Sequence, residues 1–263
     1  MIKIASKTRQ NHILALKLLG TPEIRWFDAP VRLSYLKAEA LLYYLATTAQ
    51  PHSRTVLATL LWGGTPEQQA RNSLRNALYT IRRSLPPAEF LDVERNNVRL
   101  DLANIWLDVA DFRAAIAGPD DAALLATGLA LWRSSFLDGL SFPDAPIFES
   151  WLVDQRGKLE NLFTQAPWRV SDLHRHEHRP GEAQAAVERV LEVNPLHEIG
   201  HQQLMRLHLL QGNRAAALLQ YDVLRQRLRE ELGVNPSLAS QTLHLEILRA
   251  DEVVALTPTA IQT

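Results

Sequence analysis

The chain has 263 residues, 46% of them hydrophobic, with 28 Lys and Arg against 29 Asp and Glu and no cysteine. That length suits two domains of ordinary size, and that apolar content builds real cores. The absence of cysteine excludes disulfides and thiolate metal sites. No run of about 18 apolar residues offers a membrane span, and the opening MIKIASKTRQNH lacks the apolar core of a signal peptide, so a cytoplasmic location is expected.

The near-neutral total hides a split. Residues 1–118 carry 15 Lys and Arg and 10 Asp and Glu; the remainder carries 13 and 19. A basic first half on an acidic second half points to a polyanion partner for the first half only.

Residues 1–11 read as a flexible tail. From His12 short strands follow, at 14–19, 23–27 and 31–33, separated by turns at Gly20-Thr21-Pro22 and Asp28-Ala29-Pro30. They form a small antiparallel sheet. A helix is predicted over 35–48, with Leu36, Ala40, Leu41, Tyr44 and Leu45 at helical spacing. Pro51 ends the loop after it, Ser53 caps a second helix, and Val56, Leu57, Leu60 and Leu61 are expected to face inward. Trp62-Gly63-Gly64 makes the next turn.

The stretch TPEQQARNSLRNALYTIRRSL, residues 65–85, reads as one amphipathic helix. Thr65 as N-cap, Pro66 in the first helical position and Gln68 three residues after the cap make a capping-box pattern, and Pro86-Pro87 stops the helix. At about 100° per residue, Ala70, Leu74, Ala77, Leu78, Ile81 and Leu85 fall in one arc. Arg71, Arg75, Tyr79 and Arg82 share the other face, extended by Asn72, Asn76 and Arg83. No carboxylate lies between Gln68 and Ala88 to neutralise the arginines.

Residues 90–102 read as a hairpin in which Leu91 and Val93 face Val98, Leu100 and Leu102 across a tight Asn96-Asn97 turn, flanked by Arg95 and Arg99. A sheet, three helices and a hairpin, in that order, is the plan of a winged helix with an added amino-terminal sheet. Beyond it, helical segments are expected at 121–134, 144–177, 180–193, 195–211, 213–232 and 236–250, with Gly118-Pro119-Asp120-Asp121 as a loop. Pro167 is expected to kink or split its helix near Gln165. Val170 and Leu204, Leu173 and Leu207, His174 and His208, Ala183 and Ala217, and Val190 and Leu224 match at an offset of 34 residues. That is the tetratricopeptide period.

These residues carry a family resemblance. LALKLLGTPEIRWFDAPVRLSYLKAEALLYYLA, LATLLWGG, ARNSLRNALYTIRRSL, the hairpin and DVADF resemble the OmpR-type DNA-binding domain of SARP/AfsR-like transcriptional activators. LALWRSSFLDGL, PIFESWLVDQRGKLENL and QYDVLRQRLREELGVNPS resemble the bacterial transcriptional activator domain of the same family. The resemblance implies an α+β winged helix-turn-helix domain at 12–105 and an all-α, tetratricopeptide-like domain at 106–250, with a tail or linker at 251–263. It also implies that helix 66–85 lies in the major groove and the hairpin acts as a wing on the backbone or minor groove. The partners it implies are double-stranded DNA with direct repeats, bound as a head-to-tail pair, and RNA polymerase, for an activator without a membrane role.

The residue chemistry agrees with that expectation. Arginine pairs bidentately with guanine and asparagine with adenine, so Arg71, Asn72, Arg75 and Asn76 are the types suited to base edges. Tyr79, Arg82 and Arg83 lie further along, where phosphate contact is expected, as it is for Arg95 and Arg99 on the wing.

Other chemistry finds less support. His174 and His178, and likewise His197 and His201, share a helix face at i and i+4, but no carboxylate completes a ligand pattern. Asp120-Asp121 and Glu230-Glu231 are not set opposite each other as acid and base. No phosphate-binding loop, GxSxG or HExxH occurs, so neither an enzyme, a metal nor a cofactor is expected. Trp62, Trp132 and Trp151 read as core anchors. Two alternatives stand beside the regulator: an interaction scaffold whose winged helix no longer binds DNA, and a sensor with a small ligand in its helical half.

Overall fold

The computed structural model describes residues 14–85, 90–119, 121–177 and 180–255. The expected tail at 1–11, the Pro86-Pro87 stop and residues 256–263 lie outside them. The chain divides into two compact units: residues 1–117 with 131–161, and residues 118–130 with 162–263.

The first unit opens with β1 (Leu14–Lys17), β2 (Glu23–Trp26) and β3 (Ala29–Val31), paired antiparallel in sequence. The second turn falls at Phe27-Asp28, one residue before the expected Asp28-Ala29-Pro30. Both residues adopt left-handed φ, 44° and 65°, and Trp26 pairs directly with Ala29. A two-residue hairpin turn requires that conformation to match strand twist. Pro30 sits in the edge strand, where its missing N–H costs nothing. The fourth strand, β7 (Ile105–Leu107), returns to pair with β1 in parallel.

Between them lie α1 (Leu36–Thr48), β4 (His52–Ser53), α2 (Arg54–Trp62) and α3 (Glu67–Ser84). Ser53 caps α2 as the sequence requires, its hydroxyl accepting the Val56 N–H at 3.2 Å. Val56, however, is half exposed; Leu57, Ala58, Leu60, Leu61 and Trp62 supply the buried side instead. At the α2–α3 turn, a Cβ on Gly63 would stand 2.6 Å from the Thr59 carbonyl oxygen, so only glycine fits there. Next come β5 (Leu91–Val93) and β6 (Asn97–Leu100), a hairpin joined along β6 by β4. Three helices followed by this hairpin make a winged helix.

The unit continues through α4 (Asp108–Ala117), an element not anticipated from the sequence, and through residues 131–161. The expected helix at 121–134 is shorter: α5 covers Ala122–Ala130, and 131–145 forms turns before α6 (Pro146–Glu177). Arg156 holds those turns, donating to the carbonyls of Phe136, Leu137 and Leu140 at 2.8 to 3.0 Å. Trp151 packs edge-on to Tyr44 and Phe136 with centroids at 4.9 and 6.0 Å, and Trp132 packs on Phe112 at 5.4 Å. Trp132 is buried and serves as a core anchor, and Trp151, partly buried, closes an aromatic cluster at the edge of that core.

The second unit holds α5, the carboxy-terminal part of α6, α7 (Pro180–Val193), α8 (Glu198–Leu210), α9 (Arg214–Leu232) and α10 (Leu238–Ala255). Helical assignment runs unbroken through Pro167, so the helix is not split. Of the 34-residue matches, Ala183 with Ala217 and Val190 with Leu224 are buried at both positions; Leu204 and Leu207 are buried and His208 is half-buried. α10 runs five residues into the expected tail. The side chains of Val170, Leu173, His174 and His178 lie outside the described residues.

His197 and His201 have structural partners. His197 Nδ1 accepts the Gly200 N–H at 3.0 Å and caps α8. His201 is buried, with Nε2 2.9 Å from the Pro195 carbonyl and Nδ1 2.6 Å from Gln220 Nε2.

Candidate nucleic-acid interface

α3 is held by one stripe. Ala70, Leu74, Ala77, Leu78, Ile81 and Leu85 are all buried, as their spacing requires. Each of the four large side chains among them contributes roughly 1.5 to 3 kcal/mol by leaving water. The stripe packs against α1 and α2. It fixes which side of the helix faces outward.

The start of α3 differs from the sequence expectation. The helix begins at Glu67, Pro66 occupies the cap position in extended conformation, and no side chain caps it. The Thr65 hydroxyl is drawn instead to the Trp62 carbonyl at 2.9 Å, closing the turn out of α2. Glu67 in the first turn supplies a negative charge where the helix dipole favours one.

All nine residues expected at a nucleic-acid surface are exposed: Arg71, Asn72, Arg75, Asn76, Tyr79, Arg82 and Arg83 on α3, and Arg95 and Arg99 on the hairpin. They are not all uncompensated. Arg71 is ion-paired to Glu67, one turn earlier and just outside the carboxylate-free stretch. Arg99 pairs across the hairpin with Asp92 at 3.6 Å. Arg82 Nη2 reaches the Leu91 carbonyl at 3.4 Å, so the end of α3 meets the base of the wing. Arg75 Nη1 lies 3.5 Å from Asn72 Oδ1. Arg75, Arg83 and Arg95 make no ion pair with any described residue.

The wing is built differently from the expected Asn96-Asn97 turn. Val93 pairs with Val98 and the Glu94 N–H donates to the Asn97 carbonyl at 2.9 Å, so Arg95-Asn96 forms the tip and Asn97 belongs to β6. None of these residues has positive φ. The tip is tied back by the Arg54 N–H, which donates to the Asn96 carbonyl at 2.9 Å. His52 anchors the same corner, with Nε2 2.8 Å from Thr48 Oγ1 and its ring on Tyr44; burial keeps its imidazole below its ordinary pKa. Arg95 thus stands at the tip of a braced hairpin, while Asp92, Glu94 and Arg99 line a shallow recess on its flank with Pro51 and Asn97.

Glu67 lies one residue before the carboxylate-free stretch, and its i, i+4 spacing to Arg71 is the sequence signal for the pair. Among the described residues no group of three or more His, Asp or Glu side chains is placed to hold a metal, and no helix is long and apolar enough to cross a membrane.

The chain is similar to the regulatory protein AfsR of Streptomyces coelicolor, with 28% identity over 234 residues, 79% of this chain and 23% of AfsR. The AfsR of Streptomyces griseus gives 27% over 236 residues, 80% of this chain and 24% of that protein. The chain therefore spans about a quarter of the length of these relatives. Among solved structures, it shares a fold with Mycobacterium tuberculosis EmbR in complex with a low-affinity phosphopeptide. The TM-score is 0.60 at 23% identity, covering 90% of this chain and 65% of EmbR. The family model of the bacterial transcriptional activator domain matches residues 100–248, more than half of the chain. With the AfsR likeness, this identifies the chain as a member of the bacterial transcriptional activator domain family, in its SARP/AfsR-like branch.

Proposed function

We propose that this chain is a sequence-specific DNA-binding regulator of transcription, an activator, working in the bacterial cytoplasm. The observation that carries the reading is the division of α3: a fully buried stripe on one side and an exposed surface of arginine, asparagine and tyrosine on the other. In this reading α3 lies in the major groove, with Arg71, Asn72, Arg75 and Asn76 presented to base edges. Tyr79, Arg82, Arg83, Arg95 and Arg99 hold phosphates and set the register. Residues 12–105 carry the OmpR-type DNA-binding function, and residues 106–250, tetratricopeptide-like, carry protein contacts that include RNA polymerase. Two copies sit head to tail on a direct repeat.

The test is selection of a random duplex pool on the purified chain, sequenced and repeated across a salt series. Enrichment of a repeated motif with a steep negative salt slope is the expected result. If no DNA is retained even at low salt, the scaffold reading replaces this one.

A further inference from the structure

The exposed side of α3 is not uniform. At about 100° per residue, Asn72 falls almost directly opposite the mean direction of the six buried side chains. Gln68 and Asn76, one turn to either side, continue the same line, and all three are exposed. Arg71, Arg75 and Arg82 lie on one shoulder of the helix. Arg82 shows where that shoulder points, because it reaches the Leu91 carbonyl of the wing.

The carboxamides are also available. Gln68 and Asn76 make no side-chain hydrogen bond to any described residue, and Asn72 has only the 3.5 Å approach of Arg75. Arg71, by contrast, is held by Glu67. From Gln68 to Asn76, the part of the helix aimed most directly away from its own core is thus a row of groups with one chemistry; Tyr79 and Arg83 continue the same direction toward the carboxy-terminal end. Each carries a donor and an acceptor side by side, the pattern that matches adenine N7 and N6 in the major groove.

We propose that Gln68, Asn72 and Asn76 form a carboxamide line that reads adenines, and that the preferred half-site carries adenines about two base pairs apart. The spacing follows from geometry. Residues four apart on a helix are separated by about 6 Å along its axis, and successive base pairs by about 3.4 Å. The shoulder arginines then flank this core, where they meet guanine or phosphate. This assignment rests on α3 being the DNA-reading helix, and it names what that helix reads.

The experiment is the same selection performed with the full chain and with Asn72→Ala, Asn76→Ala and Asn72→Arg. The wild type is expected to enrich adenines at two positions separated by about two base pairs. Each alanine variant flattens one of those positions, lowering its preference roughly tenfold, and Asn72→Arg shifts its position toward guanine. Thermal melts of both alanine variants match or exceed the wild type, since alanine is the better residue on an exposed helix face. Adenine positions that survive both alanine substitutions overturn the assignment while leaving DNA binding intact. So does a wild-type motif lacking the adenine pair. Absence of all retained DNA instead removes the underlying reading of α3 and the assignment with it.

Discussion

Asp108 accepts the backbone N–H of Leu18 through both carboxylate oxygens, each at 2.8 Å. The same carboxylate takes the N–H groups of Leu19 at 3.0 Å and Val109 at 2.8 Å, and it is 1% exposed. One side chain at the start of α4 thus ties off the end of β1. Replacing it with alanine leaves buried N–H groups without an acceptor, each costing about 1 to 3 kcal/mol. Asp108→Ala is expected to lower stability by about 3 kcal/mol, read as the urea midpoint followed by tryptophan fluorescence. An unchanged midpoint would mean that those amides find other partners.

In the proposed reading, Arg75 reads a base and Arg95 anchors the backbone. Arg75→Ala should cost about 1 to 3 kcal/mol of binding and blur discrimination at one base position. Arg95→Ala, at the wing tip, should weaken all sequences alike and lower the salt slope by about one. Titrations of matched and single-mismatch duplexes at several salt concentrations decide it; equal, sequence-blind losses would refute the division.

In the proposed reading the wing carries its own brake. Asp92 pairs with Arg99 and stands beside Glu94 in the flank recess, so a phosphate approaching Arg99 meets competing carboxylate. Asp92→Asn releases Arg99 and removes a repulsion. It is expected to tighten DNA binding several-fold at low salt and to steepen the salt dependence. Stability changes by less than about 1 kcal/mol, because both partners of the pair are exposed. Weaker binding by this variant would place the wing away from the phosphates.

Acid should loosen the helical unit. Burial holds the imidazoles of His197 and His201 below their ordinary value, and Arg227 adds to the effect on His201 while Glu198 opposes it. Each accepts a hydrogen bond in its neutral form, from Gly200 and from Gln220. A depressed folded-state pKa means that the stability they supply is present above the unfolded value near 6.5 and is lost as pH falls below it. Melting temperatures are expected to drop between pH 7 and pH 5, and His201→Gln to flatten that slope. A slope unchanged by the substitution would assign the loss to other groups.

Much of the α3 surface was legible because it depends on local pattern. Six apolar residues at helical spacing can bury only one stripe, and the exposed residues follow by subtraction. The details that differed depend on partners far along the chain or on competition for one hydroxyl. Thr65 has the right chemistry for a cap, yet its oxygen is nearer the Trp62 carbonyl, a choice made by the Gly63 turn. Asn96-Asn97 looked like the turn because asparagine tolerates positive φ, but pairing of Val93 with Val98 moves the tip to Arg95-Asn96. The packing of Trp151 on Tyr44 had no local signal either, since more than a hundred residues separate them. Trp151→Ala should therefore destabilise the unit that carries α3 by about 2 kcal/mol, the indole being partly buried, measured by urea unfolding. A small effect would show that residues 131–161 contribute little to it.

The parallel pairing of β1 with β7 sets the order in which the first unit assembles. Leu14 meets Ile105 and Leu16 meets Leu107, so the ladder closes a loop of about ninety residues. Closure of such a loop costs about 4 kcal/mol in chain entropy, and during synthesis β7 leaves the ribosome only after the whole winged helix has been made. Until then β1 is a strand with one open edge, rich in leucine and held only by its hairpin with β2. The nascent chain must keep that edge from pairing elsewhere for several seconds at ordinary translation rates, and the final strand added is the one that seals it.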